Sequence, residues 1–240
     1  SLIITTAMVA LLAMPAFATD SRVIALAGAG NYIEDDYNIF DWPATLPSYS
    51  NTVWMSVHHY MFWPQWSEGD SEYFTMIGAS YAFGEDGSYG TFGVFLYNYA
   101  PPLNMWGDEG VYDDPLPSKF TFMYAYPVEA MTFGLFFSRA DEYYSETMDS
   151  DTEEDSYAYT TIGVGFKYNG GENWYVDAAG DISFASYENQ NTSWGTITDD
   201  ANMKYGARAR LFYEYNETFT FVPYLGFSMY DFRLTADSTD

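Results

Sequence analysis

From Thr52 to Tyr230 apolar and polar positions alternate with a period of two in nine runs: 52–60, 72–83, 90–100, 118–127, 130–138, 157–168, 173–186, 202–215 and 218–230. Successive side chains of a strand point to opposite faces, so each run predicts a β-strand with one apolar and one polar face. In "WYVDAAGDISF" (174–184), Trp174, Val176, Ala178, Ile182 and Phe184 share one face and Tyr175, Asp177, Asp181 and Ser183 the other. Likewise Ile162, Val164, Phe166 and Tyr168 oppose Thr161, Gly163, Gly165 and Lys167. Tyr205, Ala207, Ala209, Leu211 and Tyr213 oppose Lys204, Gly206, Arg208, Arg210 and Glu214. A water-facing sheet carries many Lys and Glu; with Thr132 and Gly134 of the run 130–138 and Thr220, Gly226 and Ser228 of the run 218–230 added, the polar faces are dominated by Gly, Ser, Thr and a few charges, which suits a crowded lumen.

The links between runs alternate strictly. Short ones fall at 84–89, 128–129, 169–172 and 216–217, long ones at 61–71, 101–117, 139–156 and 187–201. Antiparallel neighbours joined in this way place all tight turns at one end and all long loops at the other, the plan of an outer-membrane barrel. The fold expected is therefore all-β: an antiparallel transmembrane β-barrel over residues 52–240, preceded by a turn-rich plug segment at 19–51. An exported soluble sandwich is the alternative. Nine runs leave the last strand outgoing, whereas bacterial single-chain barrels close on an even number, so further strands are expected after Asp240. Aromatics near run ends, among them Trp54, Trp174, Tyr213 and Tyr215, fit interfacial girdles.

Composition narrows the classes. The chain has 34 acidic against 8 basic residues, a formal charge of −26, yet 21% aromatics, too many for a disordered acidic chain. That charge repels phosphate backbones, so no nucleic-acid partner is expected. Cysteine is absent, which removes disulfides and thiolate chemistry. An apolar run from Leu2 to Met14 followed by Ala16-Phe17-Ala18 reads as a secretory signal peptide over residues 1–18, which directs the chain to the outer membrane. The missing initiator Met and basic flank imply a reading frame that starts upstream.

On the predicted lumenal faces, antiparallel pairing brings Asp181 near Arg208 and Asp177 near Arg210, with Lys204 in the same row and Lys167 and Glu214 extending it. Such a cluster is either a salt-bridge ladder that fills the lumen or a selective constriction. Phe95, Tyr97 and Tyr99 share one strand face and Tyr224 lies on a lumenal one, while Trp63, Trp66 and Trp106 fall in the long links. Together they are the candidate contacts for a small hydrophobic ligand. His58 and His59 lie on opposite strand faces and cannot chelate one metal. Ser56 shares a face with His58, but no third orienting group accompanies them. No catalytic residue, metal site or cofactor is expected. The acidic stretch 141–155 offers carboxylates to Ca²⁺ or to lipopolysaccharide phosphates through divalent ions, yet lacks the EF-hand arrangement, and a solvated loop is the simpler reading.

Residues 21–51 add a resemblance. Arg22, the Ala25-Leu26-Ala27-Gly28-Ala29-Gly30 patch, Asp35-Asp36 and Pro43-Ala44 resemble the N-terminal segment of the FadL-like outer-membrane proteins, including their PorV-like branch. Trp42 stands where that family has an asparagine before the proline. The resemblance implies a barrel of about 14 strands, a lumenal hatch made by the N-terminal segment, and passive uptake of hydrophobic compounds such as fatty acids. Lipid and lipopolysaccharide are the expected surroundings. The alternative is a structural or secretion-accessory barrel that binds a protein partner through its extracellular loops.

Overall fold

The computed structural model describes residues 36–60, 72–100, 116–148, 151–191, 195–216, 218–231 and 235–237. Eleven strands follow in chain order: β1 (Val53–Tyr60), β2 (Glu72–Ala82), β3 (Thr91–Ala100), β4 (Leu116–Val128), β5 (Met131–Met148), β6 (Asp151–Asn169), β7 (Trp174–Asn191), β8 (Gly195–Asn216), β9 (Phe219–Phe221), β10 (Tyr224–Asp231) and β11 (Thr235–Asp237). They form one antiparallel sheet in the order β1 to β8, then β10, with β9 and β11 also paired to β8. Among the described residues the helical elements are short 3₁₀ turns, at Asp36–Phe40 and Pro43–Tyr49 before β1 and at Glu85–Gly87 between β2 and β3. Among the described residues no ladder joins β1 to β10, so the sheet is open along those two edges.

The tight turns after β4 and β6 fall within one residue of the sequence reading, at 129–130 for the expected 128–129 and at 170–173 for the expected 169–172. Val128 pairs with Met131, leaving Glu129 and Ala130 as a two-residue hairpin turn. Glu129 adopts a φ of 54°, a left-handed conformation that costs a side-chain-bearing residue roughly 1–2 kcal/mol. Glu129→Gly is therefore expected to raise the unfolding free energy by roughly 0.5–1 kcal/mol, read from the urea midpoint at constant slope.

Three expectations need correction. The links at 139–156 and 187–201 are mostly strand, because the ladders run on to Met148 opposite Asp151 and to Asn191 opposite Gly195. Backbone pairing needs no apolar face, so the ladder continues where both faces are polar and the period-two signal has vanished. The run 218–230 is two strands, because Pro223 has no N–H to donate; its carbonyl still accepts from the Leu211 N–H at 3.1 Å. Trp54 points inward and is buried, not outward as a girdle residue. The leader and residues 61–71 and 101–115 lie outside the described residues.

The two faces of the sheet differ as the alternation predicts. Outward positions are apolar and exposed: Met55 73%, Leu225 75%, and Ile77, Leu96, Phe133, Leu135, Ile162, Val164 and Phe227 alongside them. Inward positions are largely buried and mixed, apolar at Trp54, Met76, Phe95 and Met123 toward β1 to β4 and polar or small at Thr161, Asp177, Ala179, Ser183 and Arg210 toward β6 to β8. Register aligns the small inward residues into one row across the strands: Thr91, Ala125, Gly134, Gly165 and Ala179, ending at Arg208 and Gly226. That row is a groove, and the Pro43–Tyr49 turn lies in it. A Cβ added at Gly165 would stand 2.7 Å from Pro43 Cγ, and one at Gly134 would collide with the backbone of Pro43 and Ala44.

The segment also reports the curvature of the sheet. Leu46 Cδ1 lies within 3.4 Å of a Cβ built on Gly93 of β3, while the Trp42 ring meets that of Tyr224 on β10. Six strand spacings separate β3 from β10, about 29 Å if flat. Four residues of 3₁₀ backbone span only about 8 Å. The sheet must curl around the segment for both contacts to form.

Candidate functional site

The site is the interface between the 36–49 segment and the inner face of the sheet. The segment is held locally by its own backbone. The Asn38 carbonyl accepts from the N–H groups of Asp41 (3.0 Å) and Trp42 (2.7 Å), and the Trp42 carbonyl accepts from the Thr45 N–H (2.8 Å) and hydroxyl (2.7 Å). Pro43 opens the second turn, where its missing N–H costs no hydrogen bond and its fixed φ suits the turn. At the far end the Ser80 hydroxyl donates to the Tyr49 carbonyl at 2.6 Å and ties the segment to β2.

One flank is apolar. Ile39 and Leu46, both fully buried, pack with Met76, Phe95 and Met123 from β2, β3 and β4. Phe40 meets Phe95 edge-on at 4.8 Å and Tyr97 at 5.9 Å, and Trp54 closes on Phe95 at 5.1 Å. Two of the candidate ligand contacts, Phe95 and Tyr97, are therefore covered by the protein's own segment. Tyr99 belongs to β3, but its side chain lies outside the description, as do those of Ser56, His58 and His59 on β1; Trp63, Trp66 and Trp106 lie outside the described residues altogether.

The opposite flank is ionic. Asp177 on β7 stands opposite Arg210 on β8, and Arg210 Nε donates to Asp177 Oδ2 at 2.8 Å with side-chain exposures of 0% and 1%. The guanidinium is sandwiched between rings: its carbon lies 4.4 Å from the Trp42 centroid and 4.8 Å from that of Phe212. Arg208 clips the segment to the wall. Its Nε donates to the Asp41 carbonyl, one terminal nitrogen pairs with the Asp41 carboxylate, and the other pairs with Asp181, each at 3.0 Å. Lys167 lies opposite Asp177 in the β6–β7 register, with its ammonium 4.0 Å from the Tyr175 ring centroid. Beside the clip is a cavity of about 330 Å³ lined by Asp181, Lys204, Gly206, Arg208, Tyr224 and Ser228.

The geometry thus brings together Lys167, Asp177, Asp181, Lys204, Arg208, Arg210 and Tyr224 on one wall. Glu214 does not join: it is exposed near the end of β8, opposite Thr220, and enters none of the ion pairs among the described residues. Of the hatch residues, Asp36 is buried at the start of the first turn and Pro43 and Ala44 fill the glycine groove; Arg22, Gly28, Gly30 and Asp35 lie outside the described residues. Two contacts had no counterpart in the sequence reading, Asp41 to Arg208 and Trp42 to Arg210. The signal for them was the surplus of lumenal cations over carboxylates, which asked for a further acceptor. The acidic residues 141–155 are mainly hairpin ladder, and among the described residues no group of three or more His, Asp or Glu is placed to hold a metal.

A single open antiparallel sheet, apolar on its outer face and packed on its inner face against the 36–49 segment, defines an all-β protein. No family model, curated protein or solved structure matches the chain.

Proposed function

We propose that the chain forms the wall of a membrane-spanning outer-membrane β-barrel, closed by the 36–49 plug, which serves passive uptake of small hydrophobic compounds. The observation that carries the reading is the apolar outer face. A water-soluble sheet turns a polar face to water, whereas here the exposed face is apolar and the enclosed one is mixed, with the ion pairs of β7 and β8 beside the apolar packing of β2 to β4. On β4 the outward side chains are apolar at every second position from Phe120 to Val128. That stretch matches the roughly 9–11 residues that a strand needs to cross a bilayer. The aromatic patch of Phe95, Tyr97 and Trp54 under the plug is the surface that a hydrophobic solute would meet once the plug shifts.

The full-length protein refolded in detergent is expected to show a heat-dependent electrophoretic shift and to float with phosphatidylcholine vesicles. Val164→Arg, in the middle of the outward apolar row, is expected to weaken membrane folding by about 2–4 kcal/mol. A soluble monomer with no shift, indifferent to Val164→Arg, defeats the reading. Uptake of a labelled fatty acid into such vesicles tests the solute class.

A second reading rests on the strand extensions. Strands β5 to β8 run 18 to 22 residues, well beyond the apolar band, and carry a polar sheet away from it. A projecting sheet of this kind suits a secretion-accessory barrel that docks a protein partner, and stoichiometric co-purification of one would favour it.

A further inference from the structure

The groove that seats the plug is filled along β5 and β6, where Pro43 and Ala44 lie against Gly134 and Gly165. At β8 and β10 the inner face is equally bare. Gly206 stands opposite Ser228 and Arg208 opposite Gly226, so three of four neighbouring inward positions carry little or no side chain. Among the described residues, none of the 36–49 segment lines this end, and a cavity of about 330 Å³ lies there beside the edge strand β10. A Cβ added at Gly206 would stand 2.8 Å from an Asp181 carboxylate oxygen, and one at Gly226 would collide with the Tyr224 hydroxyl. Both polar groups therefore lie over the glycines, on the floor of the cavity. Lys204, Arg208 and Ser228 continue the lining, while Ala207 and Phe227 pair with each other, turn their side chains outward and present main chain.

The charges around the cavity balance. Arg208 holds the carboxylates of Asp41 and Asp181, each at 3.0 Å, and Lys204 supplies the second cation. An entering ion upsets that balance and competes with the Arg208 pairs. A hydroxyl does neither, because it donates to a carboxylate and accepts from a guanidinium or ammonium at the same time. We infer that the cavity is a binding site for a neutral polyhydroxylated ligand of the size of one sugar unit, held by Asp181, Lys204, Arg208, Tyr224 and Ser228. Its volume lies at the lower end of the range of small-ligand pockets and holds about ten waters, whose places the sugar hydroxyls take with hydrogen bonds kept. Asp181 is the acceptor, Arg208 and Lys204 are the donors, and the hydroxyls of Tyr224 and Ser228 serve as either. The site needs only the inner face of β7, β8 and β10, so it stands or falls apart from the membrane-spanning reading and from the aromatic patch under the plug.

Isothermal titration of the full-length protein in lauryldimethylamine oxide, a detergent without a sugar headgroup, tests it with glucose, galactose and N-acetylglucosamine as probes. At least one of the three is expected to bind saturably. Gly226→Leu fills the floor from an exposed edge strand and is expected to weaken that binding roughly tenfold or more, since the ligand loses its seat and several hydrogen bonds with it. Tyr224→Phe removes a single hydroxyl at unchanged volume and is expected to weaken it about two- to tenfold. Both variants are expected to keep the circular dichroism spectrum of wild type. Sodium acetate and glycine, an anion and a zwitterion, are expected neither to bind saturably nor to displace the sugar. Wild type that binds none of the three sugars overturns the inference. Binding that ignores both variants places the sugar elsewhere, and displacement by acetate makes the cavity an anion site; either result overturns it as well.

Discussion

Asp177→Ala is expected to destabilise the folded protein by about 3–5 kcal/mol, the range found when one member of a buried pair is removed. Arg210 is then left with its charge in a site walled by Trp42 and Phe212, fully shielded from solvent. The cost comes from the weaker neutralisation of a buried cation more than from the lost 2.8 Å hydrogen bond. The double variant Asp177→Ala/Arg210→Met is therefore expected to recover most of the loss, since a thioether of similar length fills the slot under the indole with no charge to solvate. Denaturant unfolding in detergent, followed by tryptophan emission, reads all three. A single-variant cost below about 1 kcal/mol would mean that the guanidinium reaches water in the folded state.

The second large effect concerns the groove. Gly134 has its inward side against the backbone of Pro43 and Ala44, and an added side chain there meets main chain, which cannot swing away as a flexible side chain would. Gly134→Leu is expected to unseat the plug while leaving the strand pairing intact. The residues that lose their burial are Ile39, Trp42 and Leu46, each 1% exposed or less. At roughly 1.5–3 kcal/mol for each large apolar side chain, the docking lost is of the order of 5 kcal/mol. Limited proteolysis is expected to cut within residues 36–50 in the variant and not in wild type, with the strand content seen by circular dichroism unchanged. A plug that stays protected in Gly134→Leu would show that the glycine row is not its seat.

Much of the site was legible before any coordinates. The pairing of Asp177 with Arg210 and of Asp181 with Arg208 follows from face alternation and antiparallel order, because a period of two puts all four on one face of neighbouring strands. The register then sets Asp177 opposite Arg210 and Asp181 one pair off, opposite Gly206 and diagonal to Arg208. The strand extensions at 139–148 and 187–191 were not legible, since a ladder held by backbone hydrogen bonds leaves no trace in side-chain polarity. Glu214 misled for a related reason. Face alternation gives the side on which a residue lies but not how far the covered part of that face extends, and at position 214 the face is already open to solvent.

The sequence by itself determined the strands, their two faces, the tight turns and the opposed charges on neighbouring strands, all consequences of local backbone geometry and short-range pairing. Tertiary structure alone decided what the inner face encloses. A row of small residues drawn from five strands becomes a groove only when their registers coincide. Asp41 and Trp42 reach Arg208 and Arg210 only because the sheet curls. Contacts across 167 residues of chain depend on that curvature, which accumulates from every strand and is encoded at no one position.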